Sequence, residues 1–267
     1  MLVGGSNNNV FKEANRLTRI LVMAQETYVI GDIHGALKAL RQVISTCRPE
    51  TNSKLVFLGD YVDGLPESAQ VIDFMIELDQ RFQCVFLKGN HDFWLQEWLE
   101  TGCASPTWLS EGGLSTLRSY GSYNDQEKKQ HRDFFRKLKS YHVDDAQNLF
   151  VHAGFTSLQG PAKEMSESYL FNDRTLLETA MIFKDLKTTQ TIYYPTRLSL
   201  FHEIFIGHTP TLKFGFETPI HAANLWDLDT GVKKNGRLTI MHVKSKEFWQ
   251  SDPMIDLYPE EGEKLFL

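Results

Sequence analysis

Cysteine is scarce: Cys47, Cys84 and Cys103 are the only three in a chain of 267 residues. No pair has zinc-finger spacing, and an odd, scattered set makes no disulfide framework. The expectation is reduced, buried thiols. An excess of positive charge is also missing. Lys and Arg number 28 against 34 Asp and Glu, a formal net charge of −6. That excludes a basic nucleic-acid-binding surface as the default. No apolar run approaches the roughly 18–20 residues that cross a membrane. Arg16 and Arg19 precede only a short apolar stretch, residues 20–24, with no small-residue cleavage site after it. A cytoplasmic protein is expected, with neither nucleic acid nor membrane as a partner.

No internal repeat or long low-complexity linker breaks the chain after its start. Residues 1–26 read as a flexible extension opening on Gly4-Gly5-Ser6-Asn7-Asn8-Asn9, with a possible short helix over 10–23 and an alternative start at Met23. One domain is expected over 27–258, with a tail at 259–267. A charged fraction of 23% and a hydrophobic fraction of 42% are ordinary for a globular domain able to bury a core.

What the sequence does hold is a recurring pattern. Short apolar runs end abruptly in Gly, Asp, Asn or His. Tyr28-Val29-Ile30 leads into Gly31-Asp32-Ile33-His34-Gly35, and Leu55-Val56-Phe57-Leu58 into Gly59-Asp60-Tyr61-Val62-Asp63. Val85-Phe86-Leu87 leads into Lys88-Gly89-Asn90-His91-Asp92. Leu149-Phe150-Val151 leads into His152-Ala153-Gly154, and Ile204-Phe205-Ile206 into Gly207-His208-Thr209. Such runs read as buried strands. Helical spacing lies between the first three, over 36–47 and 68–82, which predicts an α/β fold with a largely parallel sheet. Further helices are expected over 93–100, 108–120 and 126–141. Residues 225–229 and 238–243 read as two antiparallel strands joined by a turn.

In open α/β sheets, ligands gather beyond the carboxyl ends of strands. Here those ends carry Asp32, His34, Asp60, Asp63, Asn90, His91, His152 and His208. A single such Asp is usually a cap, and a single His is usually structural. His131, His142, His202, His221 and His242 are read as structural for that reason. The strand-end set differs because glycine accompanies the donors at every strand end. Oxygen and imidazole donors without thiolates suit Mn, Fe or Zn. Their number exceeds what one open catalytic ion needs and fits a two-metal site.

These five motifs, with Gly207-His208-Thr209-Pro210-Thr211 as the last, resemble the calcineurin-like metallophosphoesterases. More narrowly they are similar to the phosphoprotein phosphatase branch in its bacterial form, which includes Ser/Thr phosphatases and diadenosine tetraphosphatases. The resemblance covers about residues 27–250. It implies an αββα sandwich of two mixed sheets flanked by helices. It also implies that Asp32, His34 and Asp60 hold one metal ion and Asp60, Asn90, His152 and His208 a second, with Asp60 bridging. His91 would be the general acid, oriented by Asp63. Pro210 replaces a histidine of the related nuclease branch. The implied chemistry is in-line attack on phosphorus by hydroxide drawn from a water that the two cations acidify.

The pattern breaks at one place. The family continues the second motif as Asp-Arg-Gly, whereas this chain reads Asp63-Gly64-Leu65. A two-pronged phosphate donor is therefore missing at position 64. Arg174, in Phe171-Asn172-Asp173-Arg174, is the candidate replacement, with Asn90 beside it, and Lys88 is a weaker one. Gly112-Gly113 reads as a helix break, with a close approach to the site as the second reading. Asp229-Thr230-Gly231 reads as structural, and Trp94, Trp98 and Trp108 as core, with a hydrophobic wall near the site as the second reading.

The function expected from this reading is hydrolysis of phosphate monoesters, with a phosphorylated Ser/Thr protein or a small phosphate ester as substrate. The alternative is a dinucleoside polyphosphate hydrolase. A non-catalytic phosphate-binding protein stands third, motivated by Gly64 and opposed by the presence of His91 with Asp63.

Overall fold

Each short run carries apolar residues on both faces of its pleat, so each strand must be covered twice. The computed structural model describes residues 25–185 and 194–261. Most of the expected N-terminal extension, its possible helix and Met23, and most of the expected tail lie outside the described residues. One sheet comprises β1 (Thr27–Ile30), β2 (Lys54–Phe57), β3 (Gln83–Phe86), β9 (Thr239–His242) and β10 (Phe248–Gln250), in the order β10-β9-β1-β2-β3. The other comprises β4 (Tyr141–Val143), β5 (Leu149–Val151), β6 (Ile204–Ile206), β7 (Ile220–Ala222) and β8 (Leu225–Asp227), in the order β4-β5-β6-β8-β7. Strands β1, β2 and β3 run parallel, as do β5, β6 and β8, while antiparallel strands complete each sheet.

Alternation along the strands sorts the core into three layers. Val29, Val56, Phe150, Phe205 and Met241 point between the sheets. Their neighbours Ile30, Leu55, Phe57 and Ile240 point to the outer helices of the first sheet. Leu149, Val151, Ile204 and Ile206 do the same on the second. Helices α1 (Leu37–Cys47), α2 (Ser68–Asp79), α3 (Asn90–Thr101) and α4 (Asp125–Phe135) cover the first sheet with Leu40, Met75, Leu95 and Phe135. Helix α5 (Thr175–Ile182) covers the second with Leu176, Leu177 and Ala180. The result is the two-sheet sandwich flanked by helices. Each fully buried Val, Leu or Phe contributes about 1.5–3 kcal/mol by leaving water.

Several boundaries differ from expectation for local reasons. Helix α3 starts at Asn90, three residues earlier, because Asp92 accepts from the Gly89 amide at 2.8 Å and caps the first turn. Helix α4 stops at Phe135, and Tyr141 opens a strand instead. The helix expected over 108–120 is broken at Gly112, whose φ of 107° falls inside a wide turn, Leu109–Gly113, before a helix resumes at Leu114–Ser119. The expected C-terminal hairpin is absent. Strands β8 and β9 enter different sheets, so the turn between them is a crossover across the sandwich. The thiols of Cys47, Cys84 and Cys103 are free, but none is fully buried: Cys47 and Cys84 are half-buried, and Cys103 is exposed just past the left-handed cap at Gly102 that ends α3.

Candidate metal centre

Loops leaving β1, β2, β3, β5 and β6 bring their polar residues to one place. Asp60 is central. Its Oδ1 accepts the His91 amide at 3.0 Å, while Oδ2 lies 3.8 Å from His34 Nε2 and 3.4 Å from His152 Nε2. His34 Nδ1 is 3.1 Å from the Val62 carbonyl and His152 Nδ1 is 2.9 Å from the Leu58 carbonyl. A proton on each Nδ1 leaves both Nε2 lone pairs facing Asp60, the arrangement that orients ligating histidines. Asn90 Oδ1 stands 3.3 Å from His152 Nε2. Asp32 Oδ2 accepts the His208 amide at 3.0 Å and lies 4.0 Å from His34 Nε2.

These residues fit a pair of cations. Asp32 Oδ1 and His208 Nε2 are buried and have no hydrogen-bond partner among the described residues. Such orphaned groups are costly unless something pairs with them. Donor atoms of Asp60, His152 and His208 lie within 4.8 Å of one another, and so do those of His34, Asp60 and His91. Asp60 belongs to both groups. His91 falls in the second group by distance, but its surroundings suit a different task. Its Nδ1 is 2.7 Å from Asp63 Oδ2, and its Nε2 is 3.4 Å from the Lys233 ammonium.

Glycine lets the carboxylates come this close. A Cβ at Gly89 would lie 2.1 Å from Asp60 Oδ1, and one at Gly207 would lie 2.0 Å from Asp32 Oδ1. His34, Asp60, Asp63 and His208 adopt φ values of 48°, 51°, 72° and 69°. Left-handed conformations of this kind cost about 1–3 kcal/mol each at non-glycine residues and cluster at functional sites.

Burial dominates the electrostatics. It raises the Asp32 carboxyl well above its ordinary range, reinforced by the Asp229 and Asp60 carboxylates. Burial also works against ionised Asp60, but the His152, His91 and His34 rings hold its pKa well below the ordinary value. Burial lowers His34 to about 3 and His208 well below its usual range, so both rings are neutral at pH 7. For His152 the Asp60 carboxylate overcomes burial and the pKa rises. Burial and the Asp60 charge push Asp92 up to about 7, against the pull of the Gly89 and Tyr61 amides.

Asp63 sits in a buried cage. Besides His91, its Oδ2 accepts from Trp108 Nε1 at 2.8 Å, and its Oδ1 accepts from the Thr116 hydroxyl at 2.6 Å. Trp108 was expected in the core and is 1% exposed, yet its indole N–H also fixes the partner of His91. Sequence reading misses this, because nothing local distinguishes a packing tryptophan from a donor. Trp94 and Trp98 are both packed against the core, and Trp94 also lines the cavity in front of the site.

That cavity is about 960 Å³ and includes His34, Asp60, Asn90 and His91 in its lining. Arg174, Lys213, Lys233 and Lys234 supply its positive charge. Arg174 Nη1 donates to Thr209 Oγ1 at 2.9 Å, which ties it to the segment after His208. Lys88 does not line the cavity, and its amide donates to the Lys139 carbonyl instead. Gly112 does line it, so the close approach is found together with the helix break. Asp229 accepts the Gly231 amide at 3.0 Å and shapes the turn that delivers Lys233.

A two-sheet sandwich with buried carboxylates and imidazoles gathered at its strand ends defines a phosphoric ester hydrolase of the metallophosphoesterase type. Residues 26–234 match the family model described as calcineurin-like phosphoesterase, and the chain belongs to that family. A symmetrical bis(5'-nucleosyl)-tetraphosphatase from Nitrosospira multiformis is 34% identical over 128 residues, spanning 48% of this chain and 42% of that protein. The chain thus spans less than half of that relative. An asymmetrical bis(5'-nucleosyl)-tetraphosphatase from Oceanobacillus iheyensis is 23% identical over 82% of this chain and 89% of its own. Among solved structures, a proposed diadenosine tetraphosphatase superposes with a TM-score of 0.60 at 16% identity, covering 86% of this chain and 94% of that one. At that identity the likeness is one of fold.

Proposed function

We propose that this chain hydrolyses dinucleoside polyphosphates by cutting a phosphoanhydride bond. The observation that carries this reading is the cluster of Arg174, Lys213, Lys233 and Lys234 around one cavity that also contains Trp94. Several cations suit a chain of phosphates better than a single phosphoryl group, and an indole suits a nucleobase. Relatives named for that activity support it over the phosphoprotein phosphatase reading. In this assignment Asp32, His34 and Asp60 hold one divalent ion, and Asp60, Asn90, His152 and His208 the other. The donor chemistry suits Mn, Fe or Zn. When bound, such ions supply neutralisation of phosphoryl charge and acidification of an attacking water.

The protein's own groups then have defined tasks. His91 carries a proton at Nε2 toward the departing oxygen, and Asp63 holds the ring through Nδ1. Trp108 and Thr116 hold Asp63. Arg174 and Asn90 orient the phosphoryl group under attack. An anhydride releases a phosphate, a good leaving group, whereas a monoester releases an alkoxide. His91→Asn should therefore cost about 10²–10⁴-fold in kcat toward an alkyl phosphate and clearly less toward a dinucleotide.

The test is a substrate panel with Mn-loaded protein: diadenosine tetraphosphate, phosphoserine peptide, phosphotyrosine peptide and an aryl phosphate. The expected result is the highest kcat/KM for the dinucleotide. Preference for the phosphoserine peptide would replace this reading with the phosphoprotein phosphatase one. Binding without turnover of any of the four would favour the non-catalytic reading.

A further inference from the structure

We propose that Lys233 is a phosphate-binding residue, occupying from a distant turn the space above Gly64. This role rests on the family-level reading that a phosphoryl group reacts in the cavity. Lys233 lies in the turn Val232–Lys234, just past Asp229-Thr230-Gly231 and far in sequence from the second strand-end motif. Its Nζ is 3.4 Å from His91 Nε2 and 3.4 Å from Glu111 Oε2. An ammonium so close to the imidazole lies within reach of any oxygen that accepts a proton from that ring. Its side chain is 25% exposed, so the charge is partly desolvated but accessible from the cavity. Its anionic partner among the described residues, Glu111, has a side chain 55% exposed and also lines the cavity.

The backbone explains why the cation comes from here. Gly64 has φ of +98°, a conformation that disfavours any side chain. A Cβ placed on it would lie 3.3 Å from Lys233 Cγ, so the lysine stem already fills that space. On the other side, a Cβ at Gly112 would lie 2.9 Å from the Gly64 amide nitrogen, and Gly64 N–H donates to the Ser115 hydroxyl at 3.0 Å. The backbone at Gly64 therefore lies between the Gly112 segment on one side and the Lys233 stem on the other. A point charge on a flexible stem replaces a planar fork, and Glu111 holds it until a phosphate oxygen displaces the carboxylate.

The experiment measures inorganic phosphate binding by calorimetry, together with KM and kcat for an aryl phosphate, on Mn-loaded protein. The variants are Lys233→Met, Lys233→Arg, Lys234→Met and Glu111→Gln. A charge-assisted hydrogen bond is worth about tenfold or more in affinity. Lys233→Met is expected to weaken phosphate binding and raise KM by about that factor, with bound Mn per chain unchanged. Lys233→Arg should recover most of the loss, Lys234→Met should cost clearly less, and Glu111→Gln should tighten phosphate. Unchanged phosphate affinity in Lys233→Met with its full metal content overturns the proposal. So does Glu111→Gln with no effect alongside a Lys233→Arg that fails to rescue. Phosphate as the probe keeps this separate from substrate identity. Tight phosphate binding through Lys233 in a protein that leaves dinucleotides intact would remove only the dinucleotide reading.

Discussion

Trp108 shows how much one atom can carry. Its indole packs in the core, with Trp98 at a ring distance of 6.0 Å, while Nε1 donates to the carboxylate that holds His91. Trp108→Phe keeps most of the packing and removes the N–H. A hydrogen bond to a charged group contributes about 1.5–3 kcal/mol. We expect kcat toward an alkyl phosphate to fall about tenfold or more, with KM and metal content near those of the parent. Steady-state kinetics with alkyl and aryl leaving groups would check this. The loss should shrink as the leaving group improves, and a uniform loss would mean that Trp108 acts only through packing.

Elements are joined here by carboxylates that accept from backbone or ring N–H groups. Asp92, in the first turn of α3, accepts from the amides of Asp60 at 2.7 Å, Tyr61 at 3.0 Å and Gly89 at 2.8 Å. It thereby fastens the loop after β2 to the loop after β3. Asp92→Ala strands three buried donors and should cost about 3 kcal/mol or more, read from denaturant unfolding. Asp73 on α2 is a second tie, 2.9 Å from His131 Nε2 on α4 and bonded to the Tyr123 hydroxyl. Partial burial raises its pKa, but these two partners outweigh it and leave Asp73 below its ordinary value. Its stabilisation is thus present above the unfolded pKa and lost as pH falls through the lower folded value. The melting temperature of Asp73→Asn should lie below that of the parent at pH 7. The gap should close as the pH is taken down through and below the carboxylate range. Solvent exposure of the Asp73 carboxylate keeps the effect modest.

Across the whole molecule, two sheets and a cluster of buried charge depend on each other. Phe150 and Phe205 stack between the sheets at 5.0 Å. Phe205→Ala should cost about 3–5 kcal/mol, and a change in the angle between sheets would also displace His152 and His208. The raised pKa values of Asp32 and His152 mean that protons compete for the site. Cation binding must release them, so Mn affinity should rise with pH, with proton release measurable by calorimetry in buffers of different ionisation enthalpy. A chelator should lower the melting temperature reversibly, by the mass-action stabilisation that the ions otherwise supply.

The strands, the outer helices and the eight polar residues at strand ends are all local patterns. A period of two, a period near four, and a donor beside glycine can be read from neighbouring residues. Partners are another matter. Leu225–Asp227 and Thr239–His242 each look like a strand, but nothing within them says that one belongs to each sheet. Trp108 and Lys233 look like a core residue and a surface cation until the chain returns them to Asp63 and His91. Chemistry written in side-chain type is visible along the chain. Chemistry made by approach, an indole N–H against a carboxylate or a lysine stem over a bare glycine, exists only after folding, because distance between remote residues is a property of packing.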